Sequence, residues 1–185
     1  MGWRNLTLLI VGMALAGTAT VLAQGPVYNL GKTPTAEEIR AWDISIPPDG
    51  KGLPPGKGTA KDGGPIYAKK CASCHGRTGV EGPGPKLVIK GKSFYPGGRS
   101  VGNHWPFATI VWDYINRAMP MRQPQSLTPD EVYALSAYTL YLNGIVGESD
   151  VMDAQSLPNV QMPNREGFRP PPLDVWTVGA RRPFP

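Results

Sequence analysis

The chain has 185 residues, room for one domain with appendages. Its 23 Gly and 21 Pro are about twice the usual combined share of ~12%, which excludes a long bundle or coiled coil, and two cysteines exclude a disulfide framework. The formal net charge of +5 is segregated: Lys51 to Arg99 holds ten basic and two acidic residues, while Gln123 to Asn164 holds five acidic residues and no basic one.

In chain order, Arg4 precedes an apolar run from Leu6 to Ala16, and no charge returns until Lys32. The run has the length of a signal-peptide core and is short for a spanning helix. Val21-Leu22-Ala23 supplies a cleavage site before Gln24. Residues 1–23 are expected to be a signal peptide that exports the chain to an oxidising compartment; left uncleaved, they would be a membrane anchor. Residues 24–60 read as an extended arm, with Pro-Pro at 47–48 and 54–55 and glycines at 50, 52, 56 and 58. Within it a short helix is expected from Thr35, where Thr35-Ala-Glu-Glu38 fits a capping box, to near Trp42.

Residues 61–150 read as a small all-α domain with long loops. A first helix is expected to start at Pro65, a residue well placed at a first helical position, and to run into Cys71. A second spans Pro106 to Met119, with Ile110, Tyr114 and Ala118 on one stripe and Val111 and Ile115 beside it; Pro120 stops it. The third opens on Thr128-Pro129-Asp130-Glu131, which combines an N-cap, Pro at N1, early acids for the dipole and the glutamate of a capping box. It continues through Val132, Leu135, Tyr138, Thr139 and Leu142 to the C-cap pair Asn143-Gly144. Residues 76–105 read as glycine-rich loop, and no strand pattern or internal repeat is found. Residues 151–185 form a Pro-rich tail whose Phe168, Val175, Trp176, Val178 and Phe184 imply that it lies against its own domain or a partner.

A domain this small and loop-rich needs a staple, and with no disulfide set a cofactor is expected. Cys71-Ala72-Ser73-Cys74-His75 supplies one: C-x-x-C-H is the attachment signature of c-type haem. Two thiols on one turn are spaced to form thioethers with the two vinyl groups of one porphyrin, and His75 follows as an axial ligand to the iron. Two other readings compete. A redox dithiol would want a preceding strand in a βα setting, and a zinc site would need four ligands, for which His104 is the one further Cys or His candidate.

The surrounding residues resemble a class I cytochrome c. Gly63, Tyr67 and Cys71 fall at four-residue steps, as in the first helix of that family, and Leu135 and Tyr138 match the pair on its last helix that packs across the first. Gly84-Pro85-Lys86-Leu87 resembles its haem loop, which implies that the Pro85 carbonyl holds the second nitrogen of His75 and raises the donor strength of the ring. Ala118-Met119-Pro120-Met121 resembles its ligand loop, which implies Met119 as sixth ligand to the iron; Met121 and His104 remain as alternatives. One covalently bound haem c is expected.

A narrower resemblance covers arm, domain and tail. Ala41-Trp-Asp-Ile44, Gly52-Leu-Pro-Pro-Gly56, Trp105-Pro-Phe-Ala108, Trp112-Asp-Tyr-Ile-Asn-Arg-Ala-Met-Pro120, Pro124-Gln-Ser-Leu-Thr128, Asp130-Glu-Val-Tyr-Ala-Leu135 and Met162-Pro-Asn-Arg165 are similar to the cytochrome subunit of sulfane dehydrogenase. That family partners a periplasmic molybdenum protein in the Sox system of thiosulfate-oxidising bacteria, and related cytochromes serve sulfite dehydrogenases. Its best-known members are longer and carry two haems, whereas this chain has one C-x-x-C-H. The resemblance implies a periplasmic electron-transfer subunit with no catalytic residues of its own. It would take electrons from a molybdenum sulfur dehydrogenase and pass them to a soluble cytochrome c. The lysines and arginines of residues 51–99 are expected to frame its docking face. They carry no nucleic-acid-binding motif, so no nucleic-acid partner is expected. Trp105 and Trp112 read as core or haem-packing residues, and Trp42 as a core, haem-packing or interface residue. The alternatives are a free or membrane-anchored electron shuttle, and a haem enzyme or gas sensor with an open sixth position.

Overall fold

The computed structural model describes residues 28, 30–90 and 98–168. The signal peptide expected at residues 1–23 and the tail beyond Phe168 lie outside them. Two compact units meet between Asp43 and Ile44.

The first unit contains helix α1, Ala36–Trp42. It forms where the sequence expects it: the Thr35 hydroxyl accepts from the Glu38 N–H at 3.1 Å, and the Glu38 carboxylate accepts from the Thr35 N–H at 2.8 Å. Lys32 adds an ion pair to Glu38 at 2.7 Å. None of the residues of α1 is buried.

In the second unit, strand β1 (Lys57–Gly58) leads into α2 (Ala60–Lys70) and α3 (Ala72–His75). After the long loop come α4 (Val101–His104), α5 (Ala108–Ala118) and α6 (Pro129–Leu142), then strand β2 (Met152–Asp153) and a short 3-10 turn, Leu157–Asn159. Helix α6 is the hub. Val132, Tyr133, Ala134, Leu135, Ser136, Ala137, Thr139 and Leu140 are all buried, so it is enclosed on nearly every side. Its buried serine and threonine hydroxyls return to the helix backbone, Ser136 to the Val132 carbonyl at 2.7 Å and Thr139 to the Leu135 carbonyl at 2.8 Å. Helix α2 packs across it so closely that a side chain at Gly63 would meet the Ala134 carbonyl oxygen. Beyond Gly63, the Tyr67 and Tyr138 rings lie 5.0 Å apart.

Helix α2 begins earlier than the sequence reading placed it. Thr59 is its N-cap and Asp62 completes a capping box, which puts Pro65 inside the helix rather than at its start. Pro65 has no N–H to give to the Lys61 carbonyl, but in the second turn that loss is tolerated because the cap and the packing on α6 hold the segment. Helix α5 spans two residues less at its start than expected. The side it buries carries Ala108, Val111 and Trp112, while Tyr114 on the other stripe is exposed.

Parts of both appendages pack on the helices. Ile46 is buried and its N–H donates to the Asp113 carboxylate at 3.1 Å. Tyr133 donates its hydroxyl hydrogen to the Pro54 carbonyl at 2.9 Å. On the C-terminal side Met152, Leu157 and Met162 are buried in the same core. Strands β1 and β2 pair antiparallel, Lys57 opposite Asp153 and Gly58 opposite Met152. A two-residue ladder carries no period, so no sequence pattern could announce it.

Candidate functional site

Cys71 is at once the C-cap of α2 and the N-cap of α3. Its N–H closes α2 on the Tyr67 carbonyl at 2.8 Å, and its own carbonyl accepts from Cys74 and His75 at 3.1 and 3.0 Å. One tight turn therefore presents Cys71, Cys74 and His75 together. Cys71 and His75 are half-buried and Cys74 is exposed. Gly76 ends the turn with φ +80°, a conformation that glycine adopts without cost. Its carbonyl accepts the Tyr67 hydroxyl at 2.9 Å.

The following loop folds back over this turn. The Gly84 N–H reaches the Cys74 carbonyl at 2.6 Å, and Thr78 donates to the Glu81 carboxylate from its hydroxyl (2.5 Å) and its N–H (3.1 Å). Those bonds hold the Glu81 carboxyl below the ordinary glutamate pKa. His75 Nδ1 lies 2.8 Å from the Pro85 carbonyl oxygen. A carbonyl only accepts, so Nδ1 carries the hydrogen and Nε2 keeps its lone pair for a metal. Asn143, at the end of α6, bonds through Nδ2 to the Leu87 carbonyl at 3.1 Å and to the Thr139 carbonyl at 2.8 Å, tying the loop to the core.

Burial pushes the Cys71 thiol up to about 11, with Lys70 pulling weakly the other way. A redox dithiol needs the opposite, a nucleophile whose pKa is depressed. Among the described residues no group of three or more His, Cys, Asp or Glu side chains could share a metal ion, so the zinc reading gains nothing. The residues do fit a c-type haem: two thiols on one turn, and a histidine whose tautomer is set by a carbonyl.

Met119 is the C-cap of α5, half-buried, with Pro120 next. Met121 is 74% exposed. His104 ends α4, and its ring packs edge-on against Phe168 at 5.1 Å. Burial, and Arg99 beside it, lower its pKa. Trp112 is fully buried against Tyr133, whose ring centroid is 5.5 Å away, and Trp105 packs edge-on to Tyr114 at 5.5 Å. Trp42 is 87% exposed. The Tyr67 hydroxyl and the Asn143 amide were the parts of the site that sequence reasoning missed. Their residues were read as packing and as a C-cap, and only the fold shows which carbonyl each one meets.

Residues 58–138 match the family described as cytochrome c oxidase, cbb3-type, subunit III. Among solved structures, the crystal structure of the sulfane dehydrogenase SoxCD from Paracoccus pantotrophus matches with 34% identity and a TM-score of 0.68. The match covers 86% of this chain and 83% of that one. No curated protein sequence gives a significant match. The identity and coverage identify a haem c protein whose work is electron transfer. The chain belongs to the class I cytochromes c, in the family of the sulfane dehydrogenase cytochromes.

Proposed function

We propose that this chain is the mono-haem electron-transfer subunit of a periplasmic molybdenum dehydrogenase that oxidises a sulfur compound, sulfane or sulfite. The observation that carries the reading is the turn Cys71–His75 with His75 Nδ1 held by Pro85, in a chain similar along most of its length to a sulfane dehydrogenase.

Cys71 and Cys74 would attach the one haem through thioethers, and His75 would bind its iron through Nε2. Met119 would be the second iron ligand from this chain: it is half-buried at the end of α5, whereas Met121 is largely exposed and His104 is packed on Phe168. When bound, haem c supplies a one-electron carrier, and a thioether ligand favours its reduced state. The chain does the rest. Pro85 fixes the tautomer of His75, Tyr67 and Gly84 brace the turn, and the exposed Lys69, Arg77 and Lys86 flank it. These cations suit docking to an acidic face of a soluble cytochrome c acceptor. The partner removes two electrons from its substrate, and this chain relays them singly. Residues 1–23 serve as the export signal, cleaved before Gln24.

Purification of the tagged protein from its host's periplasm, at low salt and without chelators, tests the reading by the molybdenum-to-iron ratio. About one molybdenum per iron with a second protein band is expected. Iron alone in a monomer overturns the partner and leaves a free shuttle.

A further inference from the structure

We infer that α1 is a docking element, with Trp42 as the anchor that binds the dehydrogenase partner; the inference rests on the partner reading above. Helix α1 buries none of its seven residues. A helix that short is marginal in water. Here its capping box and the exposed Lys32–Glu38 pair support it. The helix and the segment before it nevertheless expose several large apolar side chains. Leu30 and Trp42 are each 87% exposed, Tyr28 73% and Ile39 52%. Single exposed apolar residues are ordinary, but a cluster of large ones marks an interaction site.

The patch has the anatomy of an interface. Ile39 and Trp42 are three apart and share one helix face. With Pro34, Lys32, Glu38 and Asp43 they line an open, shallow hollow of about 580 Å³. An exposed tryptophan beside an aliphatic side chain, with charged residues around them, has the composition of a protein hot spot. The charges around them mix both signs, with Glu37 and Arg40 adding one of each. A helix lying on a membrane would instead carry a Lys/Arg-rich polar face.

The identity of the occupant follows from what the chain shares. The match to the sulfane dehydrogenase structure covers 86% of this chain, more than the whole unit Ile44–Pro185, so it takes in part of the unit that carries α1. A free cytochrome has no use for an exposed apolar helix of this kind. A subunit that must stay attached to a second protein does.

The test is made on the complete haem-loaded protein, purified at low salt from its host as wild type, as Trp42→Phe and as Ile39→Ala/Trp42→Ala. Molybdenum-to-iron ratio, size-exclusion mass and the visible spectrum are read together. The changed side chains are exposed, so the double variant is expected to keep its spectrum while its hold on the molybdenum partner weakens by at least about 30-fold, the value of one hot-spot aromatic. Trp42→Phe is expected to retain most of the binding. A double variant that keeps the wild-type molybdenum ratio overturns the inference. So does one that turns a dimer into a monomer without changing that ratio, since a second copy would then be the occupant. Wild-type protein without molybdenum is a different result: it removes the partner itself, and the inference with it.

Discussion

Gly63 and Gly64 are neighbours in α2, and the structure gives their alanine variants opposite signs. A Cβ at Gly63 would lie 2.1 Å from the Ala134 carbonyl oxygen, 2.7 Å from its carbon and 2.8 Å from Tyr138 Cβ. A carbon and a carbonyl oxygen settle at about 3.3–3.6 Å, so α2 must withdraw from α6 by roughly 1 Å, enough to forfeit a quarter to a half of each contact it makes there. Overpacking costs about 1–3 kcal/mol. Two of the clashing atoms are backbone and cannot rotate away, so the upper end applies. The alanine recovers ~1 kcal/mol of helix propensity, which leaves a net loss of about 2 kcal/mol. At Gly64 the nearest atom is Tyr138 Cε2 at 3.4 Å, an ordinary contact. There alanine keeps its propensity gain of about 0.5–1 kcal/mol. Urea titration of the haem-loaded variants, followed by far-UV circular dichroism, should separate the two by about 2–3 kcal/mol. Equal midpoints for Gly63→Ala and Gly64→Ala would refute the close helix crossing, and with it the argument for how α2 delivers Cys71 to the site.

Met119→Leu removes the proposed sixth ligand, so carbon monoxide should bind the reduced protein rapidly and the potential should fall, while Met121→Leu changes neither; the reverse outcome reassigns the ligand. Asp113→Ala strands the Ile46 N–H and breaks the pair with Arg117, and should cost about 1–3 kcal/mol in thermal unfolding, with Asp113→Asn milder; no loss would mean that residues 44–60 are not held there. Burial raises Tyr67 and Tyr133 from about 10 to about 12. The unfolded chain therefore loses these protons first as pH rises. Their contribution to stability is complete below pH 10 and should fall away between pH 10 and 12, and Tyr67→Phe should flatten that decline in pH-dependent melting; an unchanged slope would contradict the burial of its hydroxyl. Thr59→Ala should lower stability by ~1 kcal/mol through loss of the N-cap of α2, read by the same titration, and a neutral result would return the helix start to Pro65.

The chemistry of this chain was legible because it is local. Cys71, Cys74 and His75 lie within one turn, and any chain that closes that turn brings them together. The caps at Thr35 and Thr128 were legible for the same reason, since each pairs with a side chain three residues on. The start of α2 was missed because Lys61-Asp62-Gly63-Gly64 looks like loop, and Thr59 with Asp62 is a less familiar box than threonine with glutamate. Its glycines make sense only against the backbone of α6. What the tertiary structure alone decided was long-range: Ile46 on Asp113, Tyr133 on Pro54, Asn143 on Leu87, and Met152, Leu157 and Met162 closing the core. Each joins residues far apart in sequence through a single hydrogen bond or a buried surface, and neither leaves a period in the chain. The sequence by itself therefore pointed to haem c as the cofactor and to Cys71, Cys74 and His75 as the residues proposed to hold it. The fold decided how firmly His75 is oriented, how much of arm and tail belongs to the core, and that Trp42 is exposed. Burial is a property of the packed whole, and no local stretch of residues encodes it.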